Sequence, residues 1–218
     1  MIRLGRWVSW TRAEGPGARA ALWVQGCTIG CPSCINPHFW PTSQGGSLVE
    51  PSDLAAALCE GPAVEGVTLL GGEPFEQATA LAPFADAVQA MGLTVMVFTG
   101  YLYEVLLAGT VPGAGDLLAA TDLLVDGPYV REHRDRRRPW AGSTNQRFIA
   151  LTPRYAKLVA EIEGSHGAER GAPADHLEIH LREDGSVGIS GMGDNALLRD
   201  LRRDLGLRRI RDTPGTGA

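Results

Sequence analysis

The stretch ALWVQGCTIGCPSC, residues 21–34, joins a strand-like segment to a loop rich in sulfur. Residues 21–25 form a short apolar run that is typical of a buried β-strand. The following residues place Cys27, Cys31 and Cys34 in a CxxxCxxC pattern. Gly26 and Gly30 allow the backbone to wrap closely around whatever the sulfurs hold. The stretch therefore predicts a strand that ends in a loop carrying three thiols.

On the C-terminal side of this stretch, short apolar runs alternate with segments of helical periodicity, a pattern typical of parallel βα units. Five or six such units are too few for a closed eight-fold barrel, so we predict an α/β fold built as a partial, open parallel βα barrel. Strands are predicted at residues 67–70, 93–98, 123–125 and 147–151, and helices at residues 51–59, 76–91, from near 101, and 153–163.

Polar or glycine-rich motifs follow the predicted strands. Gly71-Gly72-Glu73-Pro74 follows one strand, Thr99-Gly100-Tyr101 the next, and Asp126-Gly127 the one after that. The carboxyl ends of parallel strands lie at one edge of a sheet, where α/β proteins bind ligands. We therefore expect these motifs to meet residues 26–34, the cysteine loop, at one edge of the sheet.

Three thiols in one loop are compatible with three kinds of site. They can bind three irons of a [4Fe–4S] cluster and leave the fourth iron open to a substrate. With His38, four residues after Cys34, they also form a Cys₃His set that suits structural zinc. The third possibility is a coincidental group of buried thiols.

Composition excludes several other classes of protein. The formal charge is −5, so neither nucleic acid nor a membrane surface is an expected partner. The chain has a single lysine, Lys157, and contains no Walker A, GxSxG or HExxH motif. No window has the length of an apolar membrane span, and the N-terminus lacks the apolar core of a secretory signal. We expect a cytoplasmic protein.

With these motifs in place, the chain resembles the radical S-adenosylmethionine (SAM) superfamily. It is most similar to the activating enzymes of glycyl radical enzymes, and among these to the activating proteins of anaerobic (class III) ribonucleoside-triphosphate reductases. The similarity covers about two thirds of the chain. It runs through residues 14–17 (EGPG), 25–40, 71–74 (GGEP), 98–101 (FTGY), 124–127 (LVDG) and 142–146 (GSTNQ).

The resemblance implies two cofactors, a [4Fe–4S] cluster and SAM. Cys27, Cys31 and Cys34 would hold the cluster, and the unique iron would bind the amino and carboxylate groups of SAM. No side chain would need to act as acid or base. Further SAM contacts are implied for eight residues: Ser33, Ile35, Gly71, Gly72, Glu73, Pro74, Thr99 and Asp126. Ser33 departs from the family pattern, because many relatives have an aromatic residue there, near the adenine.

The resemblance also implies a reaction and two protein partners. An electron from the cluster would cleave SAM, and the resulting 5′-deoxyadenosyl radical would take a hydrogen atom from a glycine of a glycyl radical enzyme. A flavodoxin- or ferredoxin-like protein would supply the electron. The alternative is a radical SAM enzyme that modifies a small molecule or a peptide.

The C-terminal part of the chain has no counterpart in the compact reductase activases. We divide the chain into a barrel, residues 1–163, and an extension, residues 164–218. The extension begins with a linker at 164–174 and continues as a β-hairpin, residues 176–181 and 187–190 around Asp184-Gly185, and a helix at 194–205. His176 and His180 are expected on the solvated face of the hairpin.

Two further expectations concern residues of the barrel. Cys59 lies in an Ala/Leu-rich helix and is expected in the core. Residues 131–138 contain five arginines and two acids, a composition expected of a solvated loop that would also suit docking of an acidic partner.

Overall fold

The computed structural model describes residues 1–164, 177–181, 187–191, 200–201 and 203–204. The strands are β1 (Ile2–Thr11), β2 (Arg19–Val24), β3 (Ser47–Val49), β4 (Gly66–Gly71), β5 (Thr94–Phe98), β6 (Leu123–Asp126), β7 (Arg147–Ala150), β8 (Leu177–Leu181) and β9 (Val187–Gly191). The α-helices are α1 (Pro51–Glu60), α2 (Ala78–Ala90), α3 (Tyr103–Leu107), α4 (Ala114–Ala119) and α5 (Ala156–Gly164).

Seven strands form one sheet in the order β3-β1-β2-β4-β5-β6-β7. The four central strands β2, β4, β5 and β6 are parallel, as predicted from their apolar sequences. The expectation of parallel βα units throughout is wrong at the edges. β7 is antiparallel to β6, because residues 127–146 connect the two strands without an α-helix, and β1 is antiparallel to both of its neighbours.

One face of the sheet packs against helices. Leu22 and Val24 of β2 point to this face, while Ala21 and Trp23 point to the other. The helical side of this core comes chiefly from α2, whose buried residues recur at three- and four-residue spacing. Burial of each large apolar side chain contributes roughly 1.5–3 kcal/mol. These contacts fix the central strands and thereby the loops that follow them.

The opposite face is covered in part by elements from the C-terminal side of the chain. Ile162 of α5 packs against Met96, Leu123 and Val125. The hairpin of β8 and β9 forms its own two-stranded sheet and is fixed to the N-terminal segment by polar contacts. These contacts are Thr11 Oγ1 to Glu178 Oε2 at 2.5 Å, Arg6 Nη1 to the Ile189 carbonyl at 2.8 Å, and Gly191 N to Glu14 Oε1 at 2.5 Å.

Two predictions about individual side chains are wrong. Cys59 is exposed, because α1 turns Leu54 and Leu58 toward the core and places the next residue outward. On β8, the apolar Ile179 is exposed, and His180 is partly buried with its Nε2 atom 3.5 Å from Glu178 Oε2. The polar side chains of this strand face the N-terminal segment of the chain, where Glu178 bonds to Thr11.

The helix predicted from near residue 101 is two helices, α3 and α4. Gly109, with φ of 71°, and Pro112 separate them. Of the C-terminal helix predicted at 194–205, residues 200, 201, 203 and 204 are helical. The predicted linker at 165–174, His176 and the Asp184-Gly185 turn lie outside the described residues. Within the described ranges, no helix is long and apolar enough to cross a membrane.

Candidate functional site

The cysteine loop is bound to the carboxyl ends of the central strands by backbone hydrogen bonds. Gly72 N donates to the Val24 carbonyl at 2.8 Å, and Glu73 N donates to the Gly26 carbonyl at 2.8 Å. On the other side of the loop, Cys27 N donates to the Trp40 carbonyl at 3.1 Å. The loop therefore lies between the residues that follow β4 and the 3₁₀ turn at residues 37–39.

Gly71 and Gly72 are required by this close approach. Gly71 has a φ of 111°, and a Cβ atom there would lie 2.6 Å from the Cα atom of Trp23. A Cβ atom on Gly72 would lie 2.1 Å from the carbonyl oxygen of Gly26. Both obstacles are backbone atoms, which cannot rotate away. The two glycines therefore allow the end of β4 to pack directly against the backbone of β2 and of the cysteine loop.

Glu73 connects the ends of β4 and β5. Its carboxylate is buried and accepts hydrogen bonds from Phe75 N at 2.9 Å, Thr99 Oγ1 at 2.8 Å and Gly100 N at 2.8 Å. Burial raises the pKa of Glu73 to about 7, against the lowering effect of these hydrogen bonds. The Glu73 carboxylate thus links the segment that follows β4 to the segment that follows β5.

Asp126 plays a similar part at the end of β6. Its carboxylate is fully buried, accepts a hydrogen bond from Tyr103 N at 2.8 Å and forms an ion pair with Arg147. Arg147 also binds Glu104, and this hydrogen bond lowers the pKa of Glu104 to about 2. Asp126 thus ties the end of β6 to the first residue of α3 and to the first residue of β7.

The remaining predicted contacts lie around these two anchors. Thr99 is buried against Glu73, and Gly100 faces the cysteine loop, since a Cβ atom there would lie 3.0 Å from Ile29. Pro74 is buried at the start of a 3₁₀ turn, and Ile35 is half-buried. The structure thus brings the GGEP and Thr-Gly-Tyr motifs against the cysteine loop, as the topology predicts.

The three thiols are free and half-buried on the cysteine loop. The backbone of Ile29 and Gly30 lowers the pKa of Cys27, and that of Tyr129 lowers the pKa of Cys31, but both effects are smaller than that of burial. Asn36 N lies 3.4 Å from the Cys34 sulfur. Burial raises the pKa of both Cys27 and Cys31, so metal binding must displace protons from these thiols.

This donor set fits an iron–sulfur cluster. Thiolates are the usual ligands of a [4Fe–4S] cluster, and N–H groups aimed at ligand sulfurs tune its potential. Among the described residues, no three His, Cys, Asp or Glu side chains converge on one point that could hold a single metal ion. The ring of His38 packs against Phe39, with centroids 4.1 Å apart.

A loop after β6 reaches the cysteine loop, and sequence reasoning missed this contact. Besides the Tyr129 amide, Arg131 Nη1 lies 3.3 Å from the hydroxyl of Ser33. Ser33 itself has a φ of 64°, a backbone conformation that Ser adopts rarely. A backbone amide has no signature in sequence, so only the arginine could have pointed to this contact.

The prediction that residues 131–138 are a solvated loop is wrong for one arginine. Arg138 is buried and pairs with Asp135 at 2.6 Å, because it also bonds to Ser143 and Glu163 within the fold. Arg131, Arg136 and Arg137 are exposed, as expected.

An open cavity of about 610 Å³ lies beside the cysteine loop and was not predicted. Thr28 of the loop lines it and bonds to Glu76 at 2.6 Å through its hydroxyl. The thiols are not among its lining residues. The other walls include Met1, Phe75, Tyr101 and Val111.

Comparisons with known proteins agree with this geometry. Residues 13–149 match the profile of a family described as a 4Fe-4S single cluster domain. An anaerobic ribonucleoside-triphosphate reductase-activating protein from Vibrio cholerae is 32% identical over 141 residues, which cover 61% of this chain and 88% of the relative. The protein of that name from Pasteurella multocida is 31% identical over 146 residues, covering 64% of this chain and 91% of the relative.

A more distant similarity is to a putative glycyl-radical enzyme activating enzyme from Haemophilus influenzae. It is 31% identical over 105 residues, which cover 47% of this chain and 40% of the relative. The hairpin of β8 and β9 lies outside the residues matched by the family profile.

Proposed function

We propose that this chain generates a glycyl radical on a partner enzyme, a ribonucleotide reductase of the anaerobic type. The chain belongs to the family of radical SAM activating enzymes that act on glycyl radical enzymes. The observation that carries the proposal is the cysteine loop, whose three thiols are free and half-buried and whose backbone is bound through Gly26 to Glu73 and through Cys27 to Trp40.

In this proposal Cys27, Cys31 and Cys34 hold the cluster and leave its fourth iron for SAM. When bound, the cluster supplies the electron that cleaves SAM to methionine and the 5′-deoxyadenosyl radical, which takes hydrogen from a glycine Cα. The protein's own groups bind and orient. The backbone around Gly71 and Gly72 would bind the SAM amino group, and the missing side chains let this backbone lie directly against Trp23 and Gly26, beside the cysteine loop.

The side chains around the carboxyl ends of the parallel strands have positioning roles. Glu73 and Asp126 use their oxygens to hold the loops after β4, β5 and β6, so we assign them to the shape of the SAM site rather than to proton transfer. Ser33, Ile35, Pro74 and Thr99 complete the proposed walls. Ser33 lies next to Arg131, so a guanidinium is available where relatives place an aromatic ring near the adenine.

The sheet supports a partial, open barrel. Its four parallel strands are covered by helices on one face, and its edge strands β3 and β7 are at opposite ends of the strand order. A barrel open on one side would let a polypeptide loop of a partner reach the carboxyl ends of the parallel strands. Free thiols and an oxygen-labile cluster suit the reducing cytoplasm.

A second candidate function is modification of a peptide or small molecule at the same site. It is favoured by the hairpin of β8 and β9, which binds Arg6, Thr11 and Glu14 and has no place in the matched family region.

The test is anaerobic incubation of the reconstituted protein with SAM, a reductant and a candidate anaerobic ribonucleotide reductase. We expect the electron paramagnetic resonance doublet of a glycyl radical on the reductase. The signal should disappear when the reductase glycine is replaced by Ala and when Cys34→Ala is used, whereas the matched variant Cys59→Ala should retain it. SAM cleavage without a glycyl signal, together with turnover of a small substrate, would favour the second candidate.

A further inference from the structure

We propose that the arginine loop, residues 129–138, is the docking surface for an acidic one-electron carrier protein that reduces the cluster. This inference rests on the proposed function, because it assigns the route by which the required electron enters. In the proposed step the carrier is oxidised by one electron and the bound cluster is reduced by one. No bond forms or breaks in this transfer.

The arginine loop touches the cysteine loop at Arg131, whose Nη1 atom lies 3.3 Å from Ser33 Oγ, two residues beyond Cys31. A protein that binds the arginine loop is therefore brought beside one proposed ligand of the cluster. Electron transfer requires that the carrier come close to the cluster, but it requires no covalent bond between the two.

A buried ion pair holds the arginine loop in one conformation. Asp135 Oδ1 accepts hydrogen bonds from Arg137 N at 2.8 Å and Arg138 N at 3.2 Å, and its Oδ2 pairs with the Arg138 guanidinium at 2.6 Å. The Ser143 carbonyl binds Arg138 from the other side at 3.2 Å. Arg138 is thus structural, and the turn that it stabilises presents Arg136 and Arg137 outward. A preorganised surface loses little entropy on binding.

The charge of the arginine loop is opposite to that of the whole chain. Arg131, Arg136 and Arg137 are exposed, and Glu132 is the exposed acid among them, while the protein carries a formal charge of −5. A negatively charged carrier is repelled by the molecule as a whole and attracted by this patch. Such an arrangement orients the carrier before contact and raises the productive encounter rate.

The size of the patch favours a carrier over the reductase. Weak redox encounters bury less than roughly 1,200 Å² and depend on charge, whereas stable assemblies need a larger and more apolar surface. Three exposed arginines on one short loop form the small, charged kind of surface that weak redox encounters use. Binding of the reductase through this loop is therefore the competing outcome of the test.

The test compares two double variants with the same change of charge. Arg136→Glu with Arg137→Glu alters the arginine loop. The matched control, Arg154→Glu with Lys157→Glu, alters exposed residues at the opposite end of the strands, where Arg154 Nη1 bonds to the Gly92 carbonyl just before β5. Binding of a purified acidic flavodoxin is measured by calorimetry at low and high salt, with both the apo and the reconstituted protein.

We expect the arginine-loop variant to bind flavodoxin about tenfold more weakly at low salt and to lose most of the salt dependence. In SAM cleavage its KM for reduced flavodoxin should rise by a similar factor, while the rate with dithionite stays unchanged. The control variant should behave as the unmodified protein in all of these measurements.

Equal flavodoxin affinity of the arginine-loop variant and the control would overturn the inference. So would loss of reductase activation with dithionite while flavodoxin binding is intact, because that result assigns the loop to the reductase. If dithionite drives no SAM cleavage in any of the proteins, the proposed function fails, and flavodoxin binding still reports separately on the surface.

Discussion

The two ends of the parallel strands each contain a fully buried ionisable side chain, but among the described residues only the carboxyl end has a group of free thiols beside it. At the amino end, Arg19 donates to Thr68 Oγ1 at 2.8 Å, the Val67 carbonyl at 2.6 Å, Thr94 Oγ1 at 3.0 Å and the Tyr155 hydroxyl at 3.1 Å. Each partner is part of the fold. This end of the sheet is closed by its own hydrogen bonds.

At the carboxyl end, Glu73 joins the strand ends in the same manner, and its acceptors are filled by Phe75, Thr99 and Gly100. The cysteine loop lies above this network with three free thiols. Saturated polar groups stabilise a structure, whereas thiols gathered by a rigid backbone can still bind metal. Both ends therefore stabilise the fold, and in the part of the chain that the structure describes only the carboxyl end also carries a group of thiols that can bind a metal.

The largest expected effect is the loss of the cluster when one of its proposed ligands is removed. Cys31→Ala should reduce bound iron from about four per chain to near zero and abolish SAM cleavage, because two thiolates cannot retain the cluster. Iron analysis and visible absorption after anaerobic reconstitution measure this. Cys59→Ala, at an exposed thiol, is the control. Full iron content in Cys31→Ala would remove this residue from the ligand set.

The next effect concerns the backbone contact under the cysteine loop. Gly72→Ala should lower the free energy of unfolding by on the order of 4 kcal/mol, because its Cβ atom would meet the Gly26 carbonyl. Gly115→Ala, in α4 with nothing within 4 Å of the added atom, should instead stabilise by about 0.5 kcal/mol. Urea unfolding under argon measures both. Equal stabilities of the two variants would show that the loop does not pack as described.

A smaller loss is expected at the amino end. Arg19→Met should destabilise the protein by about 3 kcal/mol, since it leaves the Val67 carbonyl and the hydroxyls of Thr68 and Thr94 without this donor. Tyr155→Phe, which removes one partner, should cost about 1 kcal/mol. The folded fraction of each variant should keep its iron and its absorption spectrum. Loss of iron in folded Arg19→Met would contradict the separation between the two ends.

A smaller effect than the loss in Arg19→Met is expected in the pH dependence of stability. Burial raises the pKa of both Glu14 and Glu73 to about 7 from an ordinary value of 4.5. Between these values the unfolded chain has lost protons that the folded protein retains, so stability falls as pH rises and levels off above pH 7.

Glu14→Gln should flatten this decline by about 2 kcal/mol between pH 5 and pH 7, while keeping an acceptor for Gly191 N. Unfolding free energies at several pH values are the measurement, with Glu60→Gln, an exposed residue at the end of α1, as the control. An unchanged slope in Glu14→Gln would show that this carboxyl is already ionised in the folded protein.

The central strands could be predicted because they are apolar on both faces. The sequence interpretation placed strands at 21–25, 67–70, 93–98 and 123–125, and each overlaps one of β2, β4, β5 and β6. β1 was missed, because it carries Arg3 and Arg6 on a half-buried strand. Arg6 lies 4.5 Å over the ring of Trp23 and reaches the hairpin, a contact that depends on tertiary structure.

The site could be predicted to the extent that its chemistry resides in side chains. The thiols, the paired glycines and the acids at the strand ends can be recognised directly in the sequence, and the parallel topology brings them to one edge of the sheet. The amide of Tyr129 at Cys31 and the cavity beside Thr28 could not be predicted, because they arise from backbone direction and from the space between elements. The outward position of Cys59 follows from one helical step, about 100° per residue.

The most direct test of the central claim is to quantify the products of SAM. The reconstituted, reduced protein is incubated with SAM under argon, and 5′-deoxyadenosine and methionine are measured by mass spectrometry. Both products should appear in equal amounts, and neither should appear with Cys27→Ala. Intact SAM after incubation with protein that carries its full complement of iron would contradict this prediction.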